Sequence, residues 1–241
     1  MKPLDYEEGG TAVQDVRKND TNRDRRQSLR NNRFTKSFVK RTIQLLSVNR
    51  IMFSVPGSKC IALTFDDGPV AENTTKILGI LRQFQIKTSF FINGKNAEKH
   101  PDLVRAMHEE GHTVGNHGYN HYHLEDYKGN LVSYFDNIRR AEEIIASITG
   151  KRSFLYRPPY GNMDLSIFLP ICKMGYRIVF WNFDSNDSFI KNPALLASTI
   201  ISAAPGPGSI ILMHEDYNHT LQALPEILAG LRRKKVRFCS L

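Results

Sequence analysis

The chain has 241 residues, 41% of them hydrophobic and 10% aromatic, which suits one sizeable globular domain. Its net charge of +9 is uneven: residues 1–50 hold 12 Lys/Arg against 6 Asp/Glu and so carry +6 of it. The basic excess is mainly an N-terminal property, so it does not mark the domain as nucleic-acid-binding, and no specific nucleic-acid partner is expected. No run approaches the ~20 apolar residues of a membrane span, and the opening MKPLDYEEGG has no apolar segment of signal-peptide type. These features leave the location open, with the cytoplasm or a membrane periphery as the expectation from sequence. Cys60, Cys172 and Cys239 are odd in number, lack C-x-x-C spacing and lie in or beside apolar stretches. Buried free thiols are expected rather than disulfides or a zinc knuckle.

In chain order, residues 1–33 read as a disordered basic tail. FTKSFVKRTIQLLSVNRIMF, residues 34–53, follows as one amphipathic helix, expected to pack on the domain, with a membrane surface or nucleic acid as alternatives for its basic face. The expected organisation is an extension over 1–50 and a domain over 51–241. From Lys59 onward, strands and helices alternate. CIALTF is a strand, and Ile77, Leu78, Leu81 and Phe84 give the next segment helical spacing. TSFFI is a strand, followed by a helix with Pro101 near its start and Gly111 past its end. HTVGN is a strand, and Tyr134–Thr149 is a helix closed by Gly150. SFLYR is a strand, then a helix through Leu165–Met174. RIVFWNF is one strand, followed by a helix from Pro193 to Ala203. SIILMH precedes a helix from Leu221 to Lys234, and VRFCS ends the chain. Seven strands with six intervening helices imply a parallel α/β fold, either a barrel or an open doubly wound sheet. No G-x-G-x-x-G follows the first strand, so a dinucleotide site is not supported.

In parallel α/β folds, chemistry collects at the C-terminal ends of the strands. There the sequence places Asp66 and Asp67 (TFDDGP), His117 and His121 (HGYNH), Arg157 and Tyr160 (RPPYG), Asp184 and Asp187 (WNFDSND), and His214 (ILMH). The i, i+4 spacing of His117 and His121 directs both imidazoles to one side if they share a helical turn. Two imidazoles and a carboxylate make a three-ligand metal site with open positions. A histidine loop that merely forms hydrogen bonds is the alternative for HGYNH in isolation. The neighbouring carboxylate pair favours metal: one aspartate ligates while the other takes a proton from water. The cation and Arg157 then offset the repulsion between the aspartates, and His214 remains to protonate a leaving group.

TFDDGP, HGYNH, RPPYG, DSND and ILMH together resemble, in order, the five motifs of polysaccharide deacetylases with the NodB homology domain, carbohydrate esterase family four. The resemblance covers Ile61 to the C-terminus. It implies a distorted (β/α)7 barrel that hydrolyses an acetyl group from a sugar, usually an N-acetylated glycan, cutting a carbon–nitrogen bond that is not a peptide bond. It implies Asp66 as base and a divalent metal, Zn with Co or Ni as alternatives, on Asp67, His117 and His121. Arg157 would orient the base, His214 would be the acid, and Tyr160 would line the acetate site and offer a backbone amide to the oxyanion. Asp184 or Asp187 would hold the acid, with Asp184 preferred. Two departures bear on the site: Gly118 stands where the family's second motif commonly has Ser or Thr, and Ser188 where its fourth commonly has Trp. The family's glycans usually lie outside the membrane. The missing export signal then points to an intracellular or lipid-linked sugar, a displaced start, or attachment through the basic segment. An iron oxygenase, a nucleic-acid binder acting through the tail and an inactive glycan-binding module are the competing readings.

Overall fold

A computed structural model of the chain describes residues 50–127 and 129–241. The tail expected over 1–33 and the helix over 34–53 fall outside these residues, except at the helix's C-terminal end. There Ile51–Met52 is a strand, β1, in parallel register with Ile178 and Val179. The elements that follow are β2 (Ile61–Asp66), α1 (Ala71–Gln83), β3 (Ser89–Ile92), α2 (Gly94–Lys99), α3 (Pro101–Glu109), β4 (Thr113–Asn116), α4 (Leu131–Thr149) and β5 (Leu155–Tyr156). They continue with α5 (Leu165–Lys173), β6 (Arg177–Val179), β7 (Phe183–Asp184), α6 (Pro193–Ala203), β8 (Ile210–His214), α7 (Asn218–Arg233) and β9 (Phe238–Cys239). Single 3-10 turns cover Leu124–Tyr127 and Pro159–Gly161.

All strand pairings are parallel, in the order β1-β6-β5-β4-β3-β2-β8-β7, with β9 added to β2. The expected single strand RIVFWNF is two: β6 pairs with β5 and β1, whereas β7 pairs with β8 at the far end of the order. Only Phe180–Asn182 link them, a reach of roughly 10 Å, so the sheet must curl until its ends meet. The peptides between them bridge the gap, Phe180 N–H donating to Met52 and Asn182 N–H to Ile210. The result is a distorted α/β barrel, as the motifs implied.

The helix expected around Pro101 is also two helices. Proline disfavours the helical conformation in the residue before it, and His100 (φ −130°, ψ 56°) separates α2 from α3. Gly150, with φ 69°, closes α4 as expected.

All six β2 residues are buried, and their alternation explains an apolar run with polar members. Ile61, Leu63 and Phe65 join the core formed with Ile77, Leu81, Leu224 and Leu228 of the flanking helices. Ala62 packs with Phe91, Val179 and Ile210 instead, on the same strand face as Thr64 and Asp66.

The free-thiol expectation fails for two cysteines. Cys60, just before β2, and Cys239, in β9, form a disulfide with Cα atoms 5.9 Å apart. Parallel pairing of Ile61–Ala62 with Phe238–Cys239 brings them together across 179 residues of sequence, a separation that no local spacing reveals. Cys172 is free. No helix among the described residues is long and apolar enough to cross a membrane.

Candidate active site

Arg157 is the largest wholly buried side chain among the described residues, and the site is built around it. Its Nη1 donates to Thr64 Oγ1 (2.8 Å) and Asp66 Oδ1 (2.6 Å), its Nε to the Val179 carbonyl (3.3 Å), and its Nη2 to the Phe180 carbonyl (3.3 Å). The Phe91 ring lies 4.0 Å from the guanidinium carbon. Burial raises the Asp66 carboxyl above its ordinary range, and the charge of Arg157 is the main opposing influence. The adjacent aspartates therefore have separate environments. Asp66 continues the inward face of β2, while Asp67 adopts φ 75°, a left-handed conformation rare outside glycine, and turns away from it.

Asp67 is fixed by two asparagines after β3, Asn93 just before α2 and Asn96 within it. Asn96 Nδ2 donates to its carbonyl (2.8 Å) and Asn93 Nδ2 to its Oδ1 (3.3 Å). That Oδ1 lies 3.2 Å from His121 Nε2 and 3.6 Å from His117 Nε2. The ligand atoms of Asp67, His117 and His121 all fall within 4.8 Å of one another, a group able to hold a metal ion. The tautomer of His117 fits that use. Its Nδ1 lies 2.7 Å from the Arg157 carbonyl, which can only accept, so Nδ1 carries the hydrogen and Nε2 presents its lone pair. Burial pushes His117 down to about 3, with Asp67 opposing, so the ring is neutral.

The two histidines do not share a helical turn. They lie in a loop after β4, which Gly118 bends with φ 80°. Gly118 N–H donates to Asn116 Oδ1, its carbonyl accepts from Gly94 N–H, and Asn137 Oδ1 accepts from Asn120 N–H. A Cβ at residue 118 would lie 2.7 Å from Asn137 Nδ2, so glycine here answers both the backbone and the space.

Opposite this group, His214 ends β8. Its Nδ1 pairs with Asp187 Oδ1 (2.8 Å), and its backbone N–H donates to Asp187 Oδ2 (2.8 Å). Thr220 Oγ1 also donates to Oδ2 (2.9 Å), and His219 Nε2 donates to the Asp187 carbonyl (2.6 Å). Burial pulls His214 down, but the hydrogen bond and charge of Asp187, helped by Asp66 and Asp67, push it up to about 9. Asp184, the residue preferred from sequence, is exposed and accepts from Asn186 N–H instead. Asn186, at φ 58°, turns the loop so that the wholly buried Asp187, not Asp184, meets the histidine.

Tyr160 sits in the Pro159–Gly161 turn with φ 57°. Its ring centroid is 4.4 Å from that of His121 and 3.5 Å from that of His123, stacked at 8° on the latter. Trp181, from the link between β6 and β7, lies against Gly161 of the same turn. The structure thus gathers Asp66, Asp67, His117, His121, Arg157, Tyr160, Asp187 and His214, and leaves Asp184 outside. Sequence reading passed over Thr64, Asn93, Asn96 and His123. Thr64 was detectable as the i−2 neighbour of Asp66, and Asn93 and Asn96 as the polar residues that follow β3, a strand end left unread.

The profile of the family described as Polysaccharide deacetylase matches residues 54–179. A peptidoglycan-N-acetylglucosamine deacetylase of Bacillus cereus is 39% identical over 197 residues, covering 78% of this chain and 70% of the relative. The peptidoglycan-N-acetylmuramic acid deacetylase PdaA of Bacillus subtilis is 30% identical over 186 residues, covering 76% and 70%. Among solved structures, the Bc1960 peptidoglycan N-acetylglucosamine deacetylase superposes with a TM-score of 0.75 at 34% identity, covering 80% of this chain and 91% of that one. The chain belongs to the polysaccharide deacetylase family, and it is a hydrolase of that carbohydrate-deacetylating class.

Proposed function

We propose that the chain removes the N-acetyl group from an amino sugar of peptidoglycan, by hydrolysis that uses Asp66 as base and His214 as acid. One observation carries this reading: two adjacent carboxylates have been given different partners, Asp66 the guanidinium and Asp67 the two histidines, with the Asp187–His214 pair opposite. Asp67, His117 and His121 would hold a divalent cation, and one carboxylate with two imidazoles favours Zn²⁺, with Co²⁺ or Ni²⁺ as alternatives. Bound there, the cation supplies Lewis acidity toward water and the acetyl carbonyl.

The chain's own residues account for the protons. Asp66 Oδ1 is occupied by Arg157, while Oδ2 faces the metal group, 3.8 Å from His117 Nε2, and takes the proton from the attacking water. His214 uses Nδ1 on Asp187, so its Nε2–H is left to protonate the amine nitrogen as the carbon–nitrogen bond breaks. Acetate and a free amino sugar result. Tyr160, beside His121, lines the position of the acetyl group. The substrate class rests on relatives named for peptidoglycan N-acetylglucosamine and N-acetylmuramic acid. Acetate release from peptidoglycan, chitin, xylan and small acetylated sugars, with metal content measured on the same sample, tests it. Peptidoglycan is expected to turn over fastest, and release confined to xylan would overturn the amide reading.

A further inference from the structure

The residue after His214 is a carboxylate for which the proposed reaction has no use. Glu215 is wholly buried, and no cation pairs with it among the described residues. Its Oε2 accepts from Thr74 Oγ1 (2.8 Å), whose oxygen also accepts from Val70 N–H (2.8 Å). Its backbone carbonyl accepts from Asn73 Nδ2 (3.0 Å), and its N–H donates to the Asp66 carbonyl (3.2 Å). The remaining oxygen, Oε1, has no hydrogen-bond partner and lies against Gly68. A Cβ at residue 68 would come within 1.0 Å of Oε1 and 1.9 Å of Cδ. Gly68 is not among the glycines with positive φ, so its backbone does not require glycine. What requires glycine there is the volume filled by Glu215. The carboxyl is thus enclosed by the turn from Asp66 to Val70 and by the first turn of α1, the segment that sets Asp67 at its left-handed φ.

We infer that Glu215 is a positioning residue: its carboxyl is the wedge on which the Asp66–Val70 turn is moulded, and it thereby aims the Asp67 carboxylate at His117 and His121. This rests on reading those three residues as metal ligands. The test titrates the metal-free full-length chain with Zn²⁺ against a chromophoric chelator, with thermal unfolding as the control for folding. Glu215→Gln keeps the shape and should retain wild-type affinity. Gly68→Ala and Glu215→Ala should each weaken Zn²⁺ binding by about 10–100-fold, the usual cost of losing support behind a ligand. The double variant Gly68→Ala/Glu215→Ala should recover most of the loss, because the new methyl enters the space the carboxyl left. A purely structural role predicts lower unfolding temperatures in the single variants with the Zn²⁺ affinity of the folded protein unchanged. Wild-type affinity in Glu215→Ala, or a double variant weaker than either single one, overturns the inference. Should Glu215→Ala not fold alone, the double variant is compared with Gly68→Ala, and absence of recovery overturns it equally. A wild-type chain that takes up no Zn²⁺ overturns the metal reading itself.

Discussion

His214 holds its proton chiefly through the buried Asp187, with Asp66 and Asp67 adding to the pull. Its folded value of about 9 lies above the ordinary ~6.5, so the group gains affinity for its proton on folding. The associated stability is fully present below about 6.5 and is lost as pH rises through about 9. Activity that needs this proton should fall over the same upper range. Asp187→Asn removes the charge responsible and should draw the basic limb of the kcat/KM profile down toward neutrality, whereas Asp184→Asn should leave it in place. A profile that shifts with Asp184→Asn would reverse the assignment. At the other carboxylate, Arg157 opposes the rise that burial imposes on Asp66. Arg157→Ala should therefore move the acid limb upward. It should also destabilise the fold by roughly 3–5 kcal/mol, the usual cost of leaving one member of a buried pair alone. Denaturant unfolding and a pH–rate profile on the same variant check both effects.

At the scale of elements, the loop after β4 and the β2–β9 contact each make a prediction. Gly118 departs from the hydroxyl residue common in the family, yet the loop needs its positive φ and its missing side chain. Gly118→Ser should strain the loop by about 1–2 kcal/mol and lower metal occupancy, rather than improve the site by restoring a hydroxyl. Higher occupancy would contradict this account of the loop. The disulfide attaches β9, a two-residue strand, to β2. Closing so long a loop restricts the unfolded chain, so Cys60→Ser/Cys239→Ser should lose about 2–5 kcal/mol in denaturant unfolding. The active-site rim lies at the opposite ends of the strands, so kcat at low temperature should hardly change. A stability unchanged by the double substitution would show that the cross-link does not restrain the chain.

For the whole molecule, the parallel α/β alternation and most of the rim were legible because five strand ends carry a short polar motif, while closure into a barrel came only through the family resemblance of those motifs. Asp66, His117, Arg157 and His214 each follow directly from an apolar strand. Features set by chain curvature or distant pairing were not legible. RIVFWNF is one apolar run, and only closure of the sheet divides it between β6 and β7. The i, i+4 spacing of His117 and His121 describes a loop bent at Gly118 as well as a helical turn. On paper Asp184 is preferred over Asp187, and only the turn at Asn186 brings Asp187 inward instead. Cys60 and Cys239 meet only through the sheet.

The central claim is that neighbouring carboxylates on one turn divide the chemistry, Asp67 binding the cation and Asp66 handling the proton. Zn²⁺ bound per chain, measured side by side on Asp66→Asn and Asp67→Asn after identical loading, tests that division directly. Asp66→Asn should keep the wild-type metal content and Asp67→Asn should lose most of it, while equal occupancy in the two, or the reverse order, would contradict the account.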